Sequence, residues 1–211
     1  MLLVTEYHKA QKHLCKRDDV LKALIGRVGP CTLAHDPDGF AVLARSIISQ
    51  QISTKAAAAI RGRLIKTLGR SGLRPRSILK QTDEAMRAAG LSANKVRCLR
   101  DLAEKCLAGD VPLKSLPDMT DEEVIERLLP VRGIGRWTAE LFLIFGLGRL
   151  DVFPIGDYGL RAGVRNQYAL TDLPDKAALT RIGELWRPYR SIGTWFIWRS
   201  FGPKNPDDGK K

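Results

Sequence analysis

Apolar residues recur along most of this chain at the three- and four-residue spacing of amphipathic helices, and no stretch alternates convincingly like a sheet strand. The pattern predicts an all-α fold of about ten helices joined by short loops. Glycines at positions 29, 90 and 109 follow helical segments and mark their ends. The predicted helices span residues 20–28, 40–48, 55–68, 82–90, 92–108, 124–129, 137–145, 157–168, 176–186 and 192–201.

Capping residues support several of these helix starts. Ser53 and Ser92 stand where a side-chain oxygen can accept from the first free N–H groups of a helix. Thr120 is followed three residues later by Glu123, which is the signature of a capping box. Only the tail, residues 202–211, shows a composition typical of low order.

Two glycines, Gly133 and Gly135, separate two predicted helices. Without a Cβ, such residues let the backbone turn tightly and come close to a ligand. The helix that begins at about Arg136 presents N–H groups at its start, and these suit a phosphate. Twenty residues after Trp137, a proline-containing loop ends at Asp157. The segment thus predicts a sequence-independent grip on a nucleic-acid backbone with a carboxylate at a set distance along the chain.

The net charge is unusual. Thirty-five basic and 23 acidic residues give +12, and the excess lies in residues 1–70 and 132–211. A basic surface attracts polyanions such as nucleic acid, although solubility alone could also explain the charge. A membrane surface is disfavoured because no strongly basic amphipathic helix is evident. Without a long apolar run or a signal peptide, the chain is expected to be soluble and cytoplasmic, or nuclear in a eukaryote.

The four cysteines, at positions 15, 31, 98 and 106, are scattered and form no C-x-x-C pair. This spacing argues against a zinc site, a disulfide scaffold and the cysteine loop of an iron–sulfur cluster. The three histidines show no triad or metal-ligand spacing. We therefore expect that the protein requires no cofactor.

Four segments together resemble the helix-hairpin-helix/GPD superfamily of DNA repair glycosylases, and within it the 3-methyladenine DNA glycosylase II group. They are residues 129–139 (LPVRGIGRWTA), 154–157 (PIGD), 48–53 (ISQQIS) and 186–191 (WRPYRS). The resemblance covers roughly residues 36–201. It implies two helical lobes with a cleft between them, one of residues 36–149 and one of residues 1–35 plus 150–211. We expect no N-terminal β-rich domain of the kind that a larger bacterial relative carries.

Asp157 has two interpretations. Before a helix, an aspartate is most simply an N-cap. The resemblance makes it the catalytic carboxylate, and both roles can hold together, because a helix N-terminus stabilises a negative charge by up to roughly 1 kcal/mol. An ionised carboxylate stabilises an oxocarbenium-like sugar, and a cationic alkylpurine leaves without a general acid. Members of this group often carry a second aspartate just before the catalytic one, where this chain has Gly156.

Three positions correspond to the base pocket by resemblance. Trp137 stands where bifunctional members hold a Schiff-base lysine, so a monofunctional, water-using enzyme is expected. Trp198 corresponds to the pocket tryptophan that stacks on the flipped base, with a cation–π attraction of ~0.5–2 kcal/mol. A pocket tyrosine is replaced by Leu141, which leaves the lesion preference open. Simple packing remains the alternative for both tryptophans.

The resemblance also assigns DNA contacts. Gln51 would fill the gap left by the flipped nucleotide and Gln50 would contact the adjoining bases, although a polar Gln-Gln turn can also be a solvated corner. Backbone N–H groups around Gly133, Gly135 and Thr138 would hold a phosphate.

Two arginines and a cation complete the expected hairpin site. Arg132 and Arg136 flank the glycines and either add positive charge or are merely solvated. In relatives, hairpin carbonyls bind a monovalent cation that bridges to the phosphate. Here such a Na⁺ or K⁺ would lie at carbonyls near Arg132 and Ile134.

The function implied is base excision of alkylated purines of the 3-methyladenine type from duplex DNA by a monomeric N-glycosylase without lyase activity. Flipping the damaged base costs a few kcal/mol, least for poorly paired bases. A non-catalytic helix-hairpin-helix DNA-binding module is the first alternative, and it would need neither Asp157 nor Trp198. A glycosylase for mismatched or oxidised bases is the second, disfavoured by the missing iron–sulfur cysteines and the missing lysine.

Overall fold

The computed structural model describes residues 2–202; the tail predicted to be of low order falls almost wholly on residues 203–211, outside the described residues. Within the described range the chain is all helical and contains no strand, which confirms the all-α prediction. The α-helices are α1 (Leu2–Arg17), α2 (Asp19–Val28), α3 (Gly39–Ser49), α4 (Thr54–Leu68), α5 (Pro75–Lys80), α6 (Asp83–Ala88), α7 (Ala93–Ala108), α8 (Asp121–Leu128), α9 (Arg136–Phe145), α10 (Tyr158–Gln167), α11 (Lys176–Leu185) and α12 (Arg190–Arg199). Two 3₁₀ turns lie at Gly69–Ser71 and Leu116–Asp118.

The helix starts follow their capping residues. Ser53, Ser92 and Thr120 each accept a bond from the main-chain N–H three residues on, and the capping box with Glu123 is complete. Most predicted bounds lie within two residues of the observed ones, because these caps and the following glycines end the helical hydrogen-bond ladder at definite residues.

Two helices were not predicted from the pattern. Among the α1 side chains that the structure describes, from residue 5 onwards, the buried ones are Tyr7, Ala10 and Leu14. Their spacings of three and four residues are obscured in the sequence by long charged side chains. The six-residue α5 is too short for any periodicity and begins at Pro75, a residue favoured in the first turn. Twelve α-helices are therefore observed over the described residues, against about ten predicted.

The chain divides into two compact units. One is His35–Gly148 and contains α3 to α9; the other joins the residues up to Ala34 with those from Arg149 onwards. In the first unit α3 is the central element, since it packs against α4, α7 and α9 and buries nearly all of its apolar side chains. Burial on several sides explains why α3 reads as a nearly continuous apolar run.

The second unit is organised by α12 and by one buried carboxylate. Helix α12 packs against α1, α2 and α10. Asp18 caps α2 through bonds from the main-chain N–H groups of Val20 (2.9 Å) and Leu21 (3.0 Å). Its other oxygen accepts from the indole N–H of Trp186 at 2.9 Å and from the hydroxyl of Tyr168. The four donors satisfy a carboxylate that is only 6% exposed and tie α2 to the segments after α10 and α11.

Candidate active site and DNA-binding hairpin

Asp157 lies at the N-terminus of α10 and is 8% exposed. Its Oδ1 accepts the main-chain N–H of Leu160 at 2.6 Å and the indole N–H of Trp198 at 2.8 Å. The residue is thus the N-cap of α10, and its carboxylate faces the helix N-terminus and two N–H donors. Gly159 leaves room for this pair, because a Cβ there would stand 3.1 Å from the same Oδ1.

The loop that delivers Asp157 is held along its length by the start of α12. Ser191 is fully buried; its main-chain N–H donates to the carbonyl of Leu150 and its hydroxyl accepts from the N–H of Val152, both at 2.9 Å. Arg190 bonds both carboxylate oxygens of Asp151, at 2.8 and 3.0 Å. The 186–191 segment, noted in the sequence only for its resemblance, therefore positions the loop that carries Asp157.

Phe153 is the apolar anchor of the same loop. Its ring stands edge-to-face with Trp186 at a centroid distance of 5.6 Å. A Cβ on Gly183 would lie 2.6 Å from the Phe153 ring, so glycine there makes room for the anchor. The turn ends with the N–H of Asp157 donating to the carbonyl of Pro154 at 2.8 Å. Packing and hydrogen bonds together leave the aspartate little freedom of position.

The glycine hairpin between α8 and α9 is a tight turn. The N–H of Val131 bonds the carbonyl of Leu128, and the N–H of Ile134 bonds the carbonyl of Val131, each at 3.0 Å. Gly133 has φ +79°, and a Cβ there would lie 2.7 Å from the Sγ of buried Cys98. Gly135 precedes the first residue of α9, with open space around its Cα and no side chain to cap the helix. The two glycines therefore have different roles. Gly133 is needed for the fold of the turn, whereas Gly135 leaves the N-terminus of α9 accessible to a ligand.

Asp101 of α7 binds the backbone of the hairpin. Its Oδ2 accepts the main-chain N–H of Arg132 at 2.7 Å, and its Oδ1 accepts from Lys105. Burial by itself raises the pKa of Asp101, but the bonds from Lys105 and Arg132 outweigh it, so the pKa lies below its ordinary value. The Asp101 carboxylate is therefore ionised at neutral pH, and it holds the hairpin backbone at Arg132 through a charged hydrogen bond.

The Gln50–Gln51 turn lies beside the hairpin. The Gln50 side-chain amide donates to the carbonyl of Gly133 at 2.8 Å and reaches the Oγ1 of Thr138 at 3.5 Å. Gln51 is exposed and has φ +58°, a conformation in which a non-glycine residue is uncommon. The structure thus brings together three of the residues predicted to bind DNA and gives Gln50 a partner within the protein.

The remaining predicted residues lie on or beside α9. Trp137, in its first turn, is 41% exposed, and Leu141 is half-buried. Arg136 is ion-paired with Glu122, whereas the exposed Arg132 guanidinium has no ion-pair partner among the residues described. Of the two arginines, Arg132 is therefore the one whose charge is not already balanced by an ion pair.

Sequence reasoning missed the supporting residues, Asp101, Lys95, Arg190 and Ser191. Each is polar, and each acts on main-chain groups or on a carboxylate far away in the chain. Only Arg190 and Ser191 could have been found from the sequence, because they belong to the 186–191 segment that resembles the family. Across residues 2–202, no cluster of three or more histidine, cysteine or acidic side chains could hold a metal ion. No helix in that range is long and apolar enough to cross a membrane.

Comparison with known proteins identifies the family of this chain. Residues 44–188 match the HhH-GPD superfamily base excision DNA repair protein family. The chain is 36% identical over 204 residues to DNA-3-methyladenine glycosylase 1 of Schizosaccharomyces pombe, covering 94% of this chain and 89% of that one.

Two solved structures have the same fold. One is the Schizosaccharomyces pombe 3-methyladenine DNA glycosylase in complex with abasic DNA, with TM-score 0.82, 35% identity, and coverage of 93% of this chain and 98% of that one. The other is a DNA-3-methyladenine glycosidase from Bacillus halodurans, with TM-score 0.80, 33% identity, and coverage of 95% and 91%. The chain belongs to the HhH-GPD superfamily of base excision DNA repair proteins.

Proposed function

We propose that the protein is a monofunctional DNA N-glycosylase that removes alkylated purines of the 3-methyladenine type by hydrolysis. The observation that carries this proposal is the buried Asp157 carboxylate, bonded to the Leu160 N–H and the Trp198 indole at the N-terminus of α10. The similarity to the Schizosaccharomyces pombe glycosylase over nearly the whole chain supports the substrate class.

In the proposed reaction the bond between C1′ of the deoxyribose and the purine nitrogen breaks heterolytically. The electron pair goes to the base and neutralises its positive charge, so no general acid is needed. The positive charge then develops on the sugar, where the Asp157 carboxylate stabilises it. A water molecule adds to C1′ and gives up a proton, first to the carboxylate and then to solvent. The products are a free purine and an abasic site.

The lack of strand cleavage in this proposal follows from Trp137. A lyase step requires an amine that forms a Schiff base with the sugar, and an indole nitrogen has no lone pair for that chemistry. The Trp137 side chain is instead proposed, with Leu141, to contact the damaged base. The Trp198 bond to Asp157 fits this role, because one indole can orient the carboxylate with its N–H and offer its face to a cationic base.

The hairpin is the proposed DNA anchor. The start of α9 and the N–H groups around Gly135 would hold a phosphate, and the unpaired charge of Arg132 would add to it. The carbonyls of Arg132 and Ile134 accept no main-chain bond among the described residues, which fits a bridging Na⁺ or K⁺ there. Such an ion would strengthen binding only. The protein is proposed to act as a monomer on duplex DNA that contains a damaged base.

The decisive experiment compares Asp157→Asn with a matched control. Asp175 caps α11 through the N–H of Ala178 at 2.7 Å, so Asp175→Asn makes the same change at a helix start outside the proposed site. Base release is measured from duplexes that each carry one lesion: 7-methylguanine, ethenoadenine, hypoxanthine or 8-oxoguanine. We expect Asp157→Asn to lose at least about 100-fold in rate with DNA affinity retained, and Asp175→Asn to match the wild type.

Four outcomes would contradict the proposal. Equal rates for Asp157→Asn and the wild type would remove the catalytic role of the carboxylate. Binding without release of any base would identify a DNA-binding module, and release of 8-oxoguanine alone would identify an oxidised-base glycosylase. Strand breaks before alkali treatment would refute the monofunctional assignment.

A further inference from the structure

The end of α3 is held by a lysine from a different helix. Lys95, in the first turn of α7, donates through its Nζ to the carbonyls of Ile48 at 2.6 Å and Gln50 at 2.8 Å. The last carbonyls of any helix lack donors within the helix and carry its negative dipole end. Because the last turn of α3 has no basic residue of its own, Lys95 supplies the cation that this helix end lacks.

The turn that follows needs such support. Gln51 has φ +58°, a left-handed conformation that is unfavourable for a residue with a Cβ. The backbone at Gln51 therefore keeps this conformation only if neighbouring groups hold it, and the direction of the exposed Gln51 side chain depends on them. Both bonds hold Gln50, the residue just before Gln51: Lys95 donates to the Gln50 carbonyl, and the Gln50 side-chain amide donates to the carbonyl of Gly133.

The surroundings of Lys95 show that its charge serves these carbonyls. No carboxylate among the described residues pairs with it, and burial lowers the pKa of its ammonium. The Lys95 backbone is itself fixed, since its N–H bonds the Oγ of the capping residue Ser92 at 3.3 Å. A partly buried lysine that donates to two main-chain carbonyls is a structural support and not a solvated surface charge.

We propose that Lys95 is a positioning residue for base extrusion: it stiffens the Gln50–Gln51 turn so that Gln51 can occupy the gap left by the flipped nucleotide. The inference rests on the proposed glycosylase function and on insertion of Gln51 into the duplex. Unstacking and unpairing a base is unfavourable, and a turn that deforms when Gln51 inserts cannot stabilise the opened duplex. Lys95 thus acts on extrusion and leaves bond cleavage to other residues.

The test separates extrusion from chemistry by changing the substrate. Lys95→Met keeps most of the aliphatic stem and removes the donors. Lys66→Met is the matched control, because Lys66 is exposed on α4 and its loss changes the net charge equally. Single-turnover release of 7-methylguanine is measured from a paired duplex and from an unpaired bulge. In parallel, 2-aminopurine fluorescence beside the lesion reports duplex opening.

We expect Lys95→Met to slow release from the duplex by about 10-fold or more, with release from the bulge within about 3-fold of the wild type, since an unpaired base needs little extrusion. Lys66→Met should leave both rates unchanged, and Lys95→Arg should retain most of the duplex rate. Equal losses on both substrates, or no loss on either, would overturn the role of Lys95.

A second variant guards against a folding defect. Gln51→Ala alters an exposed side chain and should show the same duplex-selective loss; adding Lys95→Met to it should cause little further loss, because both changes affect one step. Additive losses would refute the coupling. If the wild type released no base at all, the glycosylase proposal would fail, and 2-aminopurine fluorescence alone would still decide whether Lys95 governs opening.

Discussion

Alanine at Gly133 and alanine at Gly135 are expected to fail in different ways, although the two glycines lie only two positions apart. At Gly133, φ is +79° and the new Cβ would stand 2.7 Å from the Cys98 Sγ. Forcing alanine to positive φ costs roughly 1–2 kcal/mol, and overpacking a buried contact costs roughly 1–3 kcal/mol. Together these give about 2–5 kcal/mol of lost stability.

The losses translate into melting temperatures. For a domain of this size each kcal/mol shifts Tm by roughly 2–4 °C, so Gly133→Ala should melt about 4–20 °C below the wild type. At Gly135, φ is −100° and an added Cβ would have no atom within 4 Å, so Gly135→Ala should melt within about 2 °C of the wild type. DNA affinity of the stable Gly135→Ala variant should fall about 10-fold or more, since the methyl group would stand before the helix N-terminus.

Differential scanning fluorimetry and fluorescence anisotropy on an abasic-site duplex measure the two quantities. Cys98→Ala combined with Gly133→Ala supplies a double-mutant cycle, in which removal of the sulfur should relieve the clash but not the backbone strain. The reasoning would be refuted if Gly135→Ala melted as low as Gly133→Ala, or if it remained stable and bound DNA normally. No coupling between positions 98 and 133 would refute the steric part.

Two further results are expected. Trp198→Phe removes the N–H donor to Asp157 but keeps an aromatic ring. Loss of one hydrogen bond to a charged group costs about 1.5–3 kcal/mol, so single-turnover base release should slow by about 10- to 100-fold. An unchanged rate would show that the indole does not orient the carboxylate. The pKa of Asp101 is lowered in the folded protein, so its charged form stabilises the fold above the ordinary carboxyl pKa, and this stabilisation is lost as pH falls through the pKa of the folded state. The difference in Tm between the wild type and Asp101→Asn should therefore shrink as pH falls from about 6 to about 3. A constant difference would contradict this.

Much of the helical content could be predicted because it is encoded locally. Apolar periodicity and cap residues such as Ser92 and Thr120 act within a few positions of the helix that they start, so their effect can be read along the chain. Helix α1 was not predicted because long charged side chains obscure its apolar positions. Helix α5 was not predicted because six residues are too few to show a helical period. The hairpin glycines and Asp157 stood out because their residue types and spacing are themselves unusual.

The supports of the site could not be predicted in the same way. Lys95 lies 45 residues from Gln50, and Trp198 lies 41 residues from Asp157. Nothing near either residue in the chain indicates whether its N–H groups point to solvent, to a base or to a main-chain carbonyl. Gln50 illustrates the point, since its amide bonds the hairpin carbonyl of Gly133, a partner that its place on a polar turn did not suggest.

The amino-acid sequence by itself determined the helical class, the glycine turn, the aspartate at a helix start and the family resemblance, because each depends on residue type and short-range spacing. The tertiary structure alone decided that Leu160 and Trp198 donate to Asp157, that a Cβ at Gly133 would clash with Cys98, and that Lys95 closes the end of α3. The physical reason is that hydrogen bonds and close contacts depend on distances between atoms, and packing sets those distances for residues remote in sequence.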